Sequence, residues 1–203
     1  MLVNGRLLSL ALLLACLVSF RWAMLNFFAQ PAGDNAGMRA IRICGFAFAA
    51  LHLGAIAFTP GVTAGQAQAA ALLYLCALGL FWWAVRTGSR GALSAAFSPD
   101  TPQHLFDRGP YRFIRHPFYC SYLLTWTAGI VATAWLWLLP SLAVMLVIYV
   151  WAAVVEEAKF ARSPLASAYE RYRSHTGLFF PNPVKLLARR PRSRKGTDAA
   201  GLA

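Results

Sequence analysis

Acid is scarce in this chain: seven Asp and Glu stand against nineteen Lys and Arg in 203 residues. Charge of either sign is scarce, at 13% of residues where a soluble domain carries about 25%. With 59% hydrophobic residues beside it, that shortage excludes an ordinary soluble domain and implies an integral membrane protein. A glycine-rich phosphate cradle is missing too. No GxGxxG follows a predicted strand, which excludes a Rossmann dinucleotide site. Cysteine is sparse and scattered: Cys16, Cys44, Cys76 and Cys120 form neither a disulfide framework nor paired metal spacing. They read as small apolar residues of helix interiors. His116 and Cys120 have helical i, i+4 spacing, but two ligands fall short of a metal site, and none is expected.

The apolar runs, by contrast, are long. Spanning a bilayer takes about 20 mostly apolar residues per helix, because backbone polar groups in hydrocarbon must be satisfied within the segment. Leu7–Phe28, Ile41–Thr59 and Ala67–Val85 each qualify. Tyr119–Val155 is too long for one span, and Pro140 divides it into a helical hairpin with a very tight turn. The predicted fold class is therefore all-α: a polytopic membrane helix bundle of about five transmembrane helices, with a C-terminal hairpin. Leu13, Leu14, Ala15 and Cys16 resemble a lipoprotein cleavage box. Trp22, Leu25, Phe27 and Phe28 come after it in place of a polar tether, so the first span is read as uncleaved.

Basic residues concentrate on the cytoplasmic side of membrane proteins. Arg39 and Arg42 lie between spans one and two, while Arg86, Arg90, Arg108, Arg112 and Arg115 lie between three and four. Ten further Lys and Arg come after the fifth span. The alternate connections, Pro60–Gln66 and the turn at Pro140, have none. The amino terminus is thus expected outside and the carboxyl terminus in the cytoplasm, in a bacterial inner membrane. Residues 1–183 form one membrane domain, with its chemistry about residues 104–181, and residues 184–203 form a basic, disordered tail. Anionic lipid is the expected partner of that tail, and nucleic acid is not, since no folded reader accompanies it.

One segment carries chemistry. Gly109–Tyr119 reads GPYRFIRHPFY and combines a Gly-Pro turn with Arg112, Arg115, His116, Tyr111 and Tyr119, directly before an apolar run. Glu156 and Glu157 answer it where that run returns to the same side. A cationic turn suits a headgroup region without any catalysis, and Pro begins helices well. Two acids at a helix carboxyl end, by contrast, oppose the helix dipole. Adjacent helix residues point about 100° apart, so both carboxylates cannot face one ligand equally. One is expected toward a ligand and the other paired with Arg112 or Arg115. Farther on, Ser163 and Pro164 read as the start of a short helix through Tyr169 and Tyr172 that Gly177 ends, with Phe179, Phe180 and Pro181 in the interface. His52, alone in the second span, reads as an interior residue, and His175 as a surface one.

The ordered set of GPYRFIRHPFY, the hairpin, the Glu156/Glu157 pair and Tyr169-x-x-Tyr172 resembles the carboxy-terminal region of the isoprenylcysteine carboxyl methyltransferase and phospholipid methyltransferase superfamily. The resemblance covers His104 to Pro181 and implies S-adenosylmethionine as methyl donor, in a cytoplasmic cofactor pocket built without a Rossmann domain. It implies that Gly109, Tyr111, His116, Pro117, Tyr119, Glu156 and Glu157 bind the cofactor. His116, Glu157 and Arg115 are the candidate catalytic residues. His116 is open to two readings, a base or a structural hydrogen bond that fixes the Arg-His-Pro turn.

The departures bear on the acceptor. Members acting on prenylcysteine usually carry an Arg before the Glu pair, where Trp151–Val155 here reads WAAVV. The Gly usual after the second motif Tyr is Ser121, and Gln103 and His104 stand near the place of a usual His. A lipophilic hydroxyl, thiol or amine is therefore the expected acceptor, with the isoprenylcysteine carboxylate as the alternative. A sterol-type reductase using NADPH shares an Arg-His-Pro turn, usually in RHPNYxGE, but this chain has Phe118 in place of the Asn and Tyr122 in place of the Glu. A non-catalytic membrane binding module is the third class.

Overall fold

The computed structural model describes residues 2–29, 36–88, 93–94 and 101–184. The basic tail from Lys185 onward and the connection around Ser98 lie outside them. Six α-helices succeed one another: α1 (Leu2–Asn26), α2 (Ala36–Phe58), α3 (Ala64–Thr87), α4 (Pro117–Thr133), α5 (Leu139–Ala161) and α6 (Ala166–His175). Two short strands, β1 (Phe28–Ala29) and β2 (Leu93–Ser94), pair in parallel. They tie the exit of α1 to the connection between α3 and α4, a contact that no pattern in the sequence announced.

The architecture is an all-α membrane bundle. Among the described residues, four stretches are long and apolar enough to cross a bilayer: Gly5–Asn26, Ala36–Phe58, Ala64–Thr87 and Leu136–Ala161. The remaining hairpin helix, α4, has 17 residues and so rises only about 25 Å. It is the central helix, packed most extensively on α3 and also meeting α1, α2 and α5. Among its buried residues are the small Ser121, Thr125, Ala128, Gly129 and Ala132, which let neighbouring helices approach closely. The bundle's outer surface is apolar instead, with Phe46, Val147, Ile43 and Val18 each about two-thirds exposed, as lipid contact requires.

The hairpin turn falls elsewhere than Pro140. Helix α4 ends at Thr133, and Ala134 takes the left-handed conformation at φ 55°. Thr133 Oγ1 accepts a hydrogen bond from the Trp135 amide at 3.2 Å, and a 3-10 turn over Leu136–Leu138 leads into α5. Pro140 lies in the first turn of α5, where no intrahelical partner is needed for its missing N–H. Proline therefore starts the fifth helix instead of breaking the fourth.

His52 fixes α2 to the hairpin. It is fully buried, and its Nε2 meets Ser141 Oγ at 2.9 Å. Ser141 already donates to the Leu138 carbonyl at 2.7 Å, so the imidazole Nε2–H is the donor. His52 Nδ1 has no hydrogen-bond partner among the described residues, and its ring lies edge-on to Trp126 with centroids 5.2 Å apart.

Candidate active site

Local chain geometry first fixes the Arg-His-Pro turn. Residues Gly109–Arg112 form a 3-10 turn that starts at a positive φ of 54° on Gly109, a conformation glycine adopts without steric cost. A side chain there would also meet Thr87 Oγ1 at 2.2 Å. The chain then pairs with the segment after α6: the Arg115 amide donates to the Gly177 carbonyl at 2.8 Å, the Gly177 amide to Phe113 at 3.1 Å, and the His116 amide to Leu178 at 3.2 Å. Gly177 thus serves this bridge, two residues beyond the end of α6, and a Cβ on it would fall 1.7 Å from the Phe180 carbonyl oxygen. Tyr172 Oη, from α6, donates to the Tyr111 carbonyl at 2.8 Å. The α6 region therefore clamps the turn from outside.

His116 precedes the first residue of α4, and the last turns of α5 bring the two acids to it. Arg115 Nε reaches Glu157 Oε1 at 2.7 Å, and Arg115 Nη1 donates to the Thr176 carbonyl at 2.6 Å. Arg173 Nε stands 3.5 Å from Glu157 Oε2. Glu157 is thus surrounded by cations, which offsets the opposing helix dipole. Arg112 is exposed, its guanidinium 6.0 Å from the Phe113 ring centroid. Glu156 differs from its neighbour: it accepts a hydrogen bond from Tyr119 Oη and keeps 26% of its side chain exposed, against 14% for Glu157.

His116 lies between the two acids. Its Nδ1 is 3.4 Å from Glu156 Oε2 and its Nε2 is 3.3 Å from Glu157 Oε1. A neutral imidazole has one N–H, whereas the cation has two and satisfies both carboxylates. Burial draws the imidazole pKa down, but the hydrogen bonds and charges of Glu156 and Glu157 outweigh it, and the net direction is up. Burial also pushes the phenols of Tyr111, Tyr169 and Tyr172 up, so they act as neutral hydroxyls.

These groups open onto one cavity of about 920 Å³, toward the upper end of the roughly 300–1,000 Å³ typical of small-molecule sites. His116, Tyr119, Glu156 and Glu157 line one end. The cavity follows α4 down to Thr125 and Trp126, a further two and a half turns, or about 14 Å into the bundle. Aromatic rings form its wall: Tyr119 stacks on His116 at 5.5 Å and on Tyr149 at 5.2 Å between centroids. Gln103 and His104 line it as well, from the extended segment before the turn.

Of the residues singled out in the sequence, Tyr111, Arg115, His116, Pro117, Tyr119, Glu156 and Glu157 all reach this cavity. Gly109 is not among its lining residues and shapes the turn behind it. Phe180 is exposed, as an interfacial residue would be, but Phe179 is buried and packs edge-on against His116 and Tyr119. Tyr122, Trp126 and Tyr149 escaped sequence reading because an aromatic in an apolar helix looks like lipid contact. Arg42 escaped because membrane orientation already accounted for it, and Arg21 because a long cationic side chain near the end of a span can snorkel to the interface. No group of three or more metal-ligating side chains occurs among the described residues.

A family model described as phospholipid methyltransferase matches residues 66–163. The match takes in nearly all of α3, the Arg-His-Pro turn, α4 and α5, and leaves α1, α2 and α6 outside. No curated protein matches the chain.

Proposed function

We propose, from the match of residues 66–163 to the phospholipid methyltransferase family, that the chain transfers a methyl group from S-adenosylmethionine to a lipophilic hydroxyl, thiol or amine. One observation carries this reading: a single cavity joins a carboxylate-imidazole cluster to a wall of aromatic residues reaching into the bundle. The donor contains a sulfonium and an ammonium group, and the chemistry of the cavity fits both. Glu156 offers the ammonium a carboxylate, and the ring faces of Tyr119, Tyr122 and Tyr149 suit a cation. When bound, the donor supplies an electrophilic methyl group.

The chain's own residues then have distinct roles. Arg115, Glu157 and Arg173 are positioning residues, since they hold one another and the Thr176 carbonyl. His116, with both ring nitrogens turned to carboxylates, serves as a fixed cation that sets the spacing of the two acids. A base needs an unengaged lone pair, and the doubly paired imidazolium of His116 has none. Tyr119 holds the Glu156 carboxylate oriented through its hydroxyl. Aromatic packing around the cluster excludes water, and positioning supplies most of the rate in a displacement of this kind.

The neutral acceptor is favoured by the engagement of Arg115, whose Nε and Nη1 are already committed to Glu157 and Thr176. Calorimetry with S-adenosylhomocysteine and with NADPH tests the donor, with binding of the first and none of the second expected. The reverse result would overturn the reading. Membranes containing the protein, given labelled donor, should methylate neutral lipophilic acceptors ahead of the farnesylcysteine carboxylate. Methyl ester formation on farnesylcysteine alone would restore the carboxylate alternative.

A further inference from the structure

Two hydroxyl groups in the aromatic wall of the cavity are left unused by the protein itself. Tyr119, Tyr122 and Trp126 stand at i, i+3 and i+7 on α4 and so form one stripe down the helix, with Tyr149 of α5 beside them. Ring centroids are 5.6 Å apart for Tyr122 and Tyr149, and 5.2 Å apart for Tyr119 and Tyr149. From α1, Phe20 meets the Tyr122 ring edge-on at 4.7 Å. Packing therefore fixes the rings, and their hydroxyls remain to be accounted for.

Tyr119 gives its hydroxyl to Glu156. The Tyr122 hydroxyl has no hydrogen-bond partner among the described residues. Tyr149 has one polar neighbour there, the Trp126 indole, whose N–H closes no hydrogen bond. Buried phenols ordinarily find a partner. Tyr74 is unpartnered as well, but it is sealed in the bundle away from the cavity, where no ligand can reach it. Tyr122 and Tyr149 line the cavity instead, so a bound molecule can supply the missing contacts. Their surroundings are uncharged: α4 has no ionisable acid or base of the Asp, Glu, Lys or Arg type, and Tyr149 precedes Glu156 by two turns, about 10 Å along α5.

We propose that the Tyr122 and Tyr149 hydroxyls form the acceptor-binding subsite and select a neutral hydroxyl, that of an alcohol or phenol on an apolar tail. The assignment rests on the methyl-transfer reading and narrows its acceptor. A hydroxyl has one O–H and two lone pairs, so it accepts from one phenol, donates to the other and keeps a lone pair unengaged. A thiol makes both contacts weakly, and an ammonium has no lone pair at all. A neutral amine has only one, which accepting a hydrogen bond would occupy. A carboxylate would bring its charge to a place where these two partners are neutral. The tail then has Leu17, Ile41 and Ala49 to lie against, apolar residues of α1 and α2 in the same wall and the same packed cluster. In this arrangement the ring faces serve the donor's cation and the hydroxyls serve the acceptor.

The test measures tritiated dodecanol bound to the full-length protein in nonionic detergent by scintillation proximity. Unlabelled dodecanol, dodecanethiol, dodecylamine and dodecane, which share one chain, are the competitors. Dodecanol should displace the label best. Tyr122→Phe and Tyr149→Phe should each weaken dodecanol binding about fivefold, the scale of one neutral hydrogen bond. Phenylalanine keeps the ring, so S-adenosylhomocysteine affinity should be unchanged in both variants, which also reports that they are folded. Parental dodecanol affinity in the double variant would overturn the proposal, as would displacement by dodecanethiol or dodecylamine equal to that by dodecanol. Loss of S-adenosylhomocysteine affinity with dodecanol binding intact would also overturn it, since the hydroxyls would then serve the donor. If S-adenosylhomocysteine does not bind the parent while the dodecanol pattern holds, the methyl-transfer reading fails and the hydroxyl subsite stands.

Discussion

Glu156 and Glu157 are adjacent in sequence and unlike in setting, and the difference predicts different outcomes for the same substitution. Glu157 is held by Arg115, His116 and Arg173, so Glu157→Gln removes the shared partner of three cations. Its expected effect is a lower melting temperature, because breaking a largely buried ion pair leaves charge uncompensated. Glu156→Gln, which loses only its contacts to His116 and Tyr119, should lower the melting temperature less and weaken S-adenosylhomocysteine binding about tenfold or more, the scale of one charged contact. Calorimetric titration beside thermal unfolding checks both, and the opposite pattern would exchange the roles of the two acids. His116 adds a dependence on pH. Its folded pKa stands above the ordinary 6.5, so the folded protein holds this proton more tightly than the unfolded chain does. The stability it contributes is fully present below pH 6.5 and is lost as the pH rises through the folded value. Melting temperature should therefore fall on the alkaline side of that window, and His116→Gln should flatten the slope.

Between elements, the tightest fit is that of α4 against α2. A methyl group on Gly129 would stand 2.1 Å from His52 Nδ1, and the imidazole is anchored on its other side by Ser141. Gly129→Ala is expected to cost about 1–3 kcal/mol, the usual range for overpacking a filled interior. Adding His52→Ala should return part of that loss, since it removes the group the methyl meets. A double-mutant cycle by thermal unfolding in detergent measures the coupling, and strictly additive effects would mean that the two helices adjust independently. Neither residue declares this in the sequence. Gly129 reads as one more small residue of an apolar helix and His52 as a lone polar one, because the contact joins positions 77 residues apart.

At the scale of the molecule, the clustering of His116, Glu156 and Glu157 puts the turn before α4 and the end of α5 on one side of the bundle. We propose from the alternation of basic residues that this side faces the cytoplasm. In a cysteine-free background, a membrane-impermeant thiol reagent applied to intact cells should label Ala64→Cys, which is exposed at the start of α3. It should miss Ser174→Cys, exposed near the end of α6, until the membrane is permeabilised. Labelling of Ser174→Cys in intact cells would invert the protein and remove the cavity from cytoplasmic donor. The bundle also explains its own polarity. Ser9, His52, Ser121, Thr125, Thr133 and Ser141 are buried while large apolar side chains face outward, since lipid gives those side chains no reason to pack inside.

The sequence by itself determined the class of the fold and singled out the two polar segments that meet at the cavity. Long uncharged runs must be helical in hydrocarbon, because no water is available there for backbone groups, and that rule needs no knowledge of neighbours. The Arg-His-Pro turn and the Glu pair were legible for a related reason: charge beside such runs is costly and therefore conspicuous. Only the tertiary structure decided how the pieces divide their work. It pairs Arg115, not Arg112, with Glu157, gives His116 both acids, brings Phe179 inward and starts α5 at Pro140. It also brings Arg21 and Arg42 to the same cavity as Glu156, from helices more than a hundred residues away along the chain. Those outcomes depend on which helix faces which, and the small buried residues of α4, central to that choice, carry no mark of their partners until the helices are packed.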